Sequence, residues 1–230
     1  MFAGVVFVAS GMTPWAAVWA ACVAPRLIGA ACHTATLWAA TCATYVLHGL
    51  LVEALPGAPL QPATPPLARR AIAWRVTRNL ASTAVLSAVR LPLHPTGPRA
   101  AACYLIAAVV GNELVYAPVH RLLHAPRLYR LHRVHHAQRA PRALGAAYCG
   151  LVEMWVANVA SVALPLYLVG APAGVMLVWL LSAVQTTQLH HASKTLPWTV
   201  RHHQPAYHDA HHAYLRKHYG NLGWFERWLA

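Results

Sequence analysis

Ten histidines in four short groups are the part of this sequence best equipped for chemistry. His120 and His124 form the first group. His132, His135 and His136 form the second, and His190 and His191 the third. His208, His211 and His212 form the fourth and repeat the spacing of the second. Positions i, i+3 and i+4 of a helix lie on one face, so each group can turn its imidazoles to one side. Ala125-Pro126 separates the first two groups, and proline disfavours an unbroken helix. Two short helices meeting at a turn would aim both groups at one point. Imidazole suits iron, copper, zinc and nickel. A single zinc site needs only four ligands, so ten histidines point to two metal ions. Oxygen chemistry needs an open coordination position and a redox-active ion, which selects iron over zinc.

Other site types find no support. The Glu-x-x-His pattern of soluble di-iron bundles is absent, as are HExxH, a CxxCH haem attachment and a glycine-rich phosphate loop. No catalytic side chain is assigned beyond the metal ligands. His33, His48 and His94 stand alone and read as core or interfacial groups. Clustered histidines can also form a weak metal buffer or a pH-sensitive surface, but two HxxHH motifs together with HxxxH and HH favour a built site. Glu113 lies seven residues before His120, about two helical turns, and so shares its face. It is expected either to orient a ligand imidazole from behind or to snorkel to the surface.

The elements that must carry these groups are apolar. Of the 230 residues, 58% are hydrophobic and 10% charged, with 18 Lys and Arg against 5 Asp and Glu. Soluble domains carry about 25% charged residues. The basic excess suits a membrane face as well as nucleic acid, and the apolar runs decide for the membrane. Met1 to Pro25 is uncharged and reads as a retained membrane helix. Leu27 to Val52 reads as a second, with Arg26 in the turn between. Ala54 to Pro66 holds five prolines and is a loop. Arg69, Arg70, Arg75 and Arg78 are placed at a membrane surface. Asn79 to Val89 and Ala101 to Val119 are read as a second hairpin. Met154 to Ser193 is uncharged for 40 residues and divided at Gly170-Ala171-Pro172-Ala173-Gly174. A hairpin there returns the chain to the face it left, so the histidine groups before and after it lie on one side. The expected architecture is all-α: one multi-span membrane domain over 1–230. Apolar hairpins fill 1–119, the first histidine boxes 120–136, a helical hairpin 151–189 and the last boxes 190–218. The five cysteines show no metal or redox spacing and read as small buried hydrophobes.

The stretches "HRLLHAPRLYRLHRVHH" (His120 to His136) and "YHDAHHAYLRKHYGNLGWFERW" (Tyr207 to Trp228) resemble the boxes and closing segment of the fatty acid hydroxylase/sterol desaturase superfamily. The resemblance spans about residues 105 to 230. It implies a membrane-bound non-haem di-iron oxygenase with a cytosol-facing site. Such an enzyme uses O2 and electrons from a donor such as cytochrome b5 or a reductase to hydroxylate or desaturate a sterol or fatty-acyl lipid. It would sit in the endoplasmic reticulum of a eukaryote or the inner membrane of a bacterium. The implied ligands are His120, His124, His132, His135, His136, His208, His211 and His212. The intermediate box falls on His190 or His191, and both are carried as candidates. The family often reads Asn-Tyr-Gly where this chain has His218-Tyr219-Gly220, so His218 is a candidate eleventh ligand or a supporting group. Some relatives carry a further histidine four residues before the intermediate box, where Thr186 and Thr187 stand here. Arg121, Arg130, Arg133 and Arg142 flank the boxes and suit lipid head groups or an acidic electron donor. Two other readings remain open: a non-catalytic membrane protein that binds or carries zinc, and a carotenoid hydroxylase.

Overall fold

Four long helices carry the site, and their sequences dictate which of them is central. A computed structural model describes residues 34–62, 65, 67–196 and 205–224. Among these residues no strand forms; one antiparallel bridge joins Pro59 and Lys194. The helices in order are α1 (Thr34–Ala54), α2 (Arg69–Ser82), α3 (Pro98–Leu123), α4 (Tyr129–His132), α5 (Leu151–Leu168), α6 (Ala173–His190) and α7 (Ala206–Tyr214).

Among the described residues, α1, α3 and α5 are long and apolar enough to cross a membrane. Each leaves apolar side chains outside: Leu47, Leu50 and Leu51 on α1, Ile106 and Leu114 on α3, Leu164 and Leu168 on α5. Leu47 is 68% exposed and Leu168 72%. Water penalises such faces and lipid does not. The central helix is α6, where every residue from Ala173 to Trp179 is buried. Its first half, Ala173 to Leu181, is apolar all round, as a helix segment enclosed by others must be. Leu177 and Leu181 meet Leu37 of α1, while Val175, Met176 and Trp179 meet Ala108 and Val109 of α3 and Leu166 of α5.

Lipid tails are as apolar as leucine, so close packing and interhelical hydrogen bonds join these helices. Gln188 of α6 donates to the carbonyl of Tyr45 at 2.6 Å and holds His48 Nδ1 at 2.8 Å through its own oxygen. Trp179 Nε1 donates to the carbonyl of Val162 at 2.7 Å, tying α6 to α5. Gly170, at φ +65, makes the turn between those two helices. The expected uncharged hairpin is thus α5 and α6.

Two expectations need amending and a third is not tested. Asn79 to Val89 is no half of a hairpin: it is the end of α2 followed by a six-residue 3-10 turn, Thr83–Ala88. That is far short of the roughly 20 residues a crossing needs. Instead it lies against α1, with Trp38 Nε1 donating to Thr83 Oγ1 at 3.1 Å. Cys149 is buried, Cys42 is partly buried and Cys103 is exposed. Cys103 sits on α3, whose outward face is apolar, so a small thiol there needs no burial. The helix read at Met1 to Pro25, with Arg26, His33, Cys22 and Cys32, lies outside the described residues.

Candidate metal centre

The end of α3 presents His120, and His124 follows one turn later just past the helix. The chain turns through Ala125–Leu128 into α4, which ends on His132; a short 3-10 turn, His135–Ala137, brings in the next pair. The third group ends α6, and α7 carries His208, His211 and His212. Nine of these ten histidines collect into two sets that could each hold a metal ion. His120, His124, His132, His136 and His211 form one; His135, His191, His208 and His212 form the other. Within each set the facing nitrogens lie within 4.8 Å of one another. All are buried except His124, which is partly so.

Each HxxHH box is divided between the two sets. His132 and His136 enter the five-membered set and His135 the four-membered one. His208 and His212 enter the four-membered set and His211 the five-membered one. Helical geometry accounts for this in α7. At about 100° per residue, i and i+4 point about 40° apart, whereas i+3 and i+4 diverge by about 100°. The pair shares a target and the middle histidine reaches the other one. The boxes therefore interlock, and neither metal set can form from one box alone.

The outer ring nitrogens set the chemistry of the inner ones. Nδ1–H of His120 donates to the carbonyl of Tyr219 at 2.7 Å, and that of His211 to Lys217 at 2.7 Å. His212 donates to Gln138 at 2.8 Å and His191 to Thr187 at 2.7 Å. A carbonyl only accepts, so these Nδ1 atoms carry the proton and Nε2 offers a lone pair inward. Nδ1 of His132 stands 2.8 Å from Glu153 Oε1, both residues buried.

Inner nitrogens are crowded beyond what hydrogen bonds explain. His208 Nε2 lies 3.1 Å from His191 Nε2 and 3.2 Å from His212 Nε2. Both neighbours present lone pairs, and one proton on His208 cannot serve two. In the other set, His136 Nε2 is 2.9 Å from His132, 3.2 Å from His124 and 3.2 Å from His211. Nitrogens bound at about 2.1 Å to one ion would stand roughly 3.0 Å apart at right angles and 3.4 Å apart at the tetrahedral angle. The donor set, its tautomers and its spacing thus fit a metal ion in each group. Burial, and then the neighbouring imidazoles, hold His132 down to about 2; burial holds His124 and His191 down to about 4. These rings are neutral at pH 7 and ready to coordinate.

The remaining candidates fall elsewhere. His190 belongs to neither set, although its ring is 6.0 Å from that of His208. The ring of His218 packs 4.0 Å from that of Tyr207, centroid to centroid, and the residue has φ +64. Asn is among the residues that best tolerate that conformation, so the family's usual residue at this position matches a backbone need. Buried Glu113 accepts the backbone N–H of Asn221 at 2.8 Å and that of Leu222 at 3.2 Å. It anchors the segment whose Tyr219 carbonyl in turn receives His120. A Cβ at Gly220 would press on the Glu113 carboxyl group, which would have to shift. His48 bonds to Gln188, and His94 is exposed in a loop.

Two spaces lie near the site, and histidines line only the smaller one. A chamber of about 70 Å³ is lined by members of both sets and by polar side chains including Asn112, Asn158, Ser161 and His190. An apolar cavity of about 560 Å³ extends from it between α1, the 3-10 turn, α5 and α6, lined by residues such as Leu37, Trp38, Trp155 and Leu180. Ala146, Asn158, Val162, Ala183 and Thr187 line both.

Sequence comparison matches residues 105–230, more than half of the chain and every histidine of both sets, to the family described as fatty acid hydroxylase. No curated protein and no solved structure matches the chain.

Proposed function

The chain belongs to the fatty acid hydroxylase family, and from that premise we propose that it is a membrane-bound oxygenase that hydroxylates or desaturates a lipid with two non-haem iron ions. The observation that carries this reading is the pair of interlocked histidine sets, nine neutral nitrogens facing inward beside an apolar cavity. Iron bound there would supply the oxygen-dependent redox chemistry that breaks an unactivated C–H bond. Hydroxylation balances as one lipid C–H, one O2, two electrons and two protons giving the C–OH product and one water. The electrons come from an external donor such as cytochrome b5 or a reductase.

The chain's own residues position and insulate. His120, His124, His132, His136 and His211 hold one ion; His135, His191, His208 and His212 hold the other. The carbonyls of Tyr219, Lys217, Gln138 and Thr187 and the carboxylate of Glu153 fix ring orientation, which tightens ligation. The apolar cavity takes a lipid body by excluding water and makes no demand for charged recognition.

Incubation of iron-loaded protein and a competent electron donor with a lipid panel under 18O2 tests the proposal. Product lipid carrying one 18O is expected for hydroxylation, or loss of two hydrogens without label for desaturation. An unchanged panel would overturn lipid oxidation.

The site is further assigned to the cytosolic side of the membrane, in line with the arginines around the boxes. Ala137 and Ala213 are exposed beside the second and fourth groups. Ala137→Cys and Ala213→Cys, each in a background without native cysteines, should both label with an impermeant maleimide from the cytosolic side only. Labelling from opposite sides would contradict it.

A further inference from the structure

His190 is buried at 3% exposure, and its Nε2 has no hydrogen-bond partner among the described residues. It stands next to a ligand in sequence but belongs to neither metal set. Instead it lines the small chamber, where five of the nine set members also open: His120, His132, His135, His191 and His208. Nδ1 of His135 and of His136 are buried without a partner too, but those residues belong to the metal sets; His190 does not, and its unpartnered nitrogen is open to another ligand.

The chamber and the cavity differ in character. The large cavity is walled mostly by aliphatic and aromatic side chains. Asn158 and Thr187 line both spaces, while the chamber alone is lined by Asn112, Glu153, Ser161, Thr186, Asn221 and His190, with no Lys or Arg. Its volume of about 70 Å³ is small beside the cavity's 560 Å³, which suits a compact polar group such as a hydroxyl or a carbonyl. Without a cationic side chain, an uncharged oxygen suits it better than a phosphate. A lipid tail end entering it would leave His190 Nε2 without a partner, whereas an oxygen-bearing end would satisfy it.

We propose that the lipid enters with its uncharged oxygen end first, hydrogen-bonded by His190 in the chamber, and its apolar body in the cavity behind. His190 is then a positioning residue that touches substrate rather than a metal ligand. The attacked C–H bond lies within a few carbons of that oxygen, because the chamber holding the oxygen also exposes both metal sets. This rests on the oxygenase reading for its chemistry, but the binding pose can be tested without turnover.

The test uses two octadecanol photoprobes with protein reconstituted in nanodiscs and loaded with iron. One carries a diazirine beside the hydroxyl, the other near the methyl end. The first should crosslink to the 112–120 and 186–191 segments around the chamber. The second should crosslink to the 34–45 and 80–91 segments around the cavity. His190→Leu should cut chamber labelling at least fivefold while iron per chain stays unchanged, and His190→Gln, which keeps a donor and an acceptor, should restore it. Reversed or indistinguishable labelling, or labelling indifferent to His190→Leu, would overturn the pose. Iron lost in His190→Leu would make the residue a ligand and overturn the role. Correct labelling with no oxidised lipid under 18O2 would instead count against the oxygenase reading alone.

Discussion

Replacing His211 by Ala is expected to abolish lipid oxidation and to lower bound metal from about two ions per chain toward one. His211 contributes the only imidazole that α7 gives to the five-membered set. Its Nε2 stands 3.1 Å from that of His124 and 3.2 Å from that of His136. Its own tautomer is set by the Lys217 carbonyl. Loss of a group that merely supports a ligand costs about 10- to 100-fold in affinity or activity, so loss of a ligand should exceed about 100-fold. His135→Ala should do the same to the other set, and more completely, since three histidines would remain there. Metal content and oxygen-dependent product formation are the readouts, with monodisperse, membrane-inserted protein as the check on folding. His94→Ala is the silent control, because His94 lies exposed in a loop. Full activity in His211→Ala or His135→Ala would show that the cluster is not the site.

Glu153→Ala is expected to weaken metal binding about 10- to 100-fold. Glu153 sits at the start of α5, buried, with Oε1 2.8 Å from His132 Nδ1. Its carboxyl group lies against Nδ1 of His132, on the side of the ring away from Nε2, which faces His120 and His136, 3.0 and 2.9 Å away. Glu153→Gln keeps the shape and one acceptor and should lose less. Competition with a graded chelator reads the affinity directly. Equal affinities in Ala and Gln variants and the parent would reduce Glu153 to a space-filling role.

These two predictions differ in how far the sequence foretold them. The four histidine groups, their helical spacing and the turn at Ala125-Pro126 were legible because i, i+4 geometry is local. The uncharged hairpin was legible because its length and its central Gly-Ala-Pro-Ala-Gly are local too. Glu153 was visible only as one of few acids; nothing in its spacing ties it to His132, 21 residues earlier, and only the packing of α5 beside α4 brings them together. The division of each HxxHH box between two sets was likewise hidden, since a shared face does not say how many targets face it. The choice of His191 over His190 depends on how α6 is rotated. α6 does not segregate apolar and polar residues to opposite faces, so no amphipathic stripe reveals that rotation; contacts with α1, α3 and α5 set it. The backbone carbonyls of Tyr219 and Lys217 that orient His120 and His211 carry no side-chain signature at all. Glu113 was placed on the right face, yet its observed bonds run to the closing segment, through which it supports His120 from a distance.

The most direct test of the account is the metal-to-protein ratio of detergent-purified chain reconstituted with ferrous iron and freed of loosely bound ions. Two histidine sets with inward lone pairs predict two iron ions per chain, falling toward one in His211→Ala and in His135→Ala. No stoichiometric metal in the parent protein, or a ratio indifferent to both substitutions, would contradict the central claim.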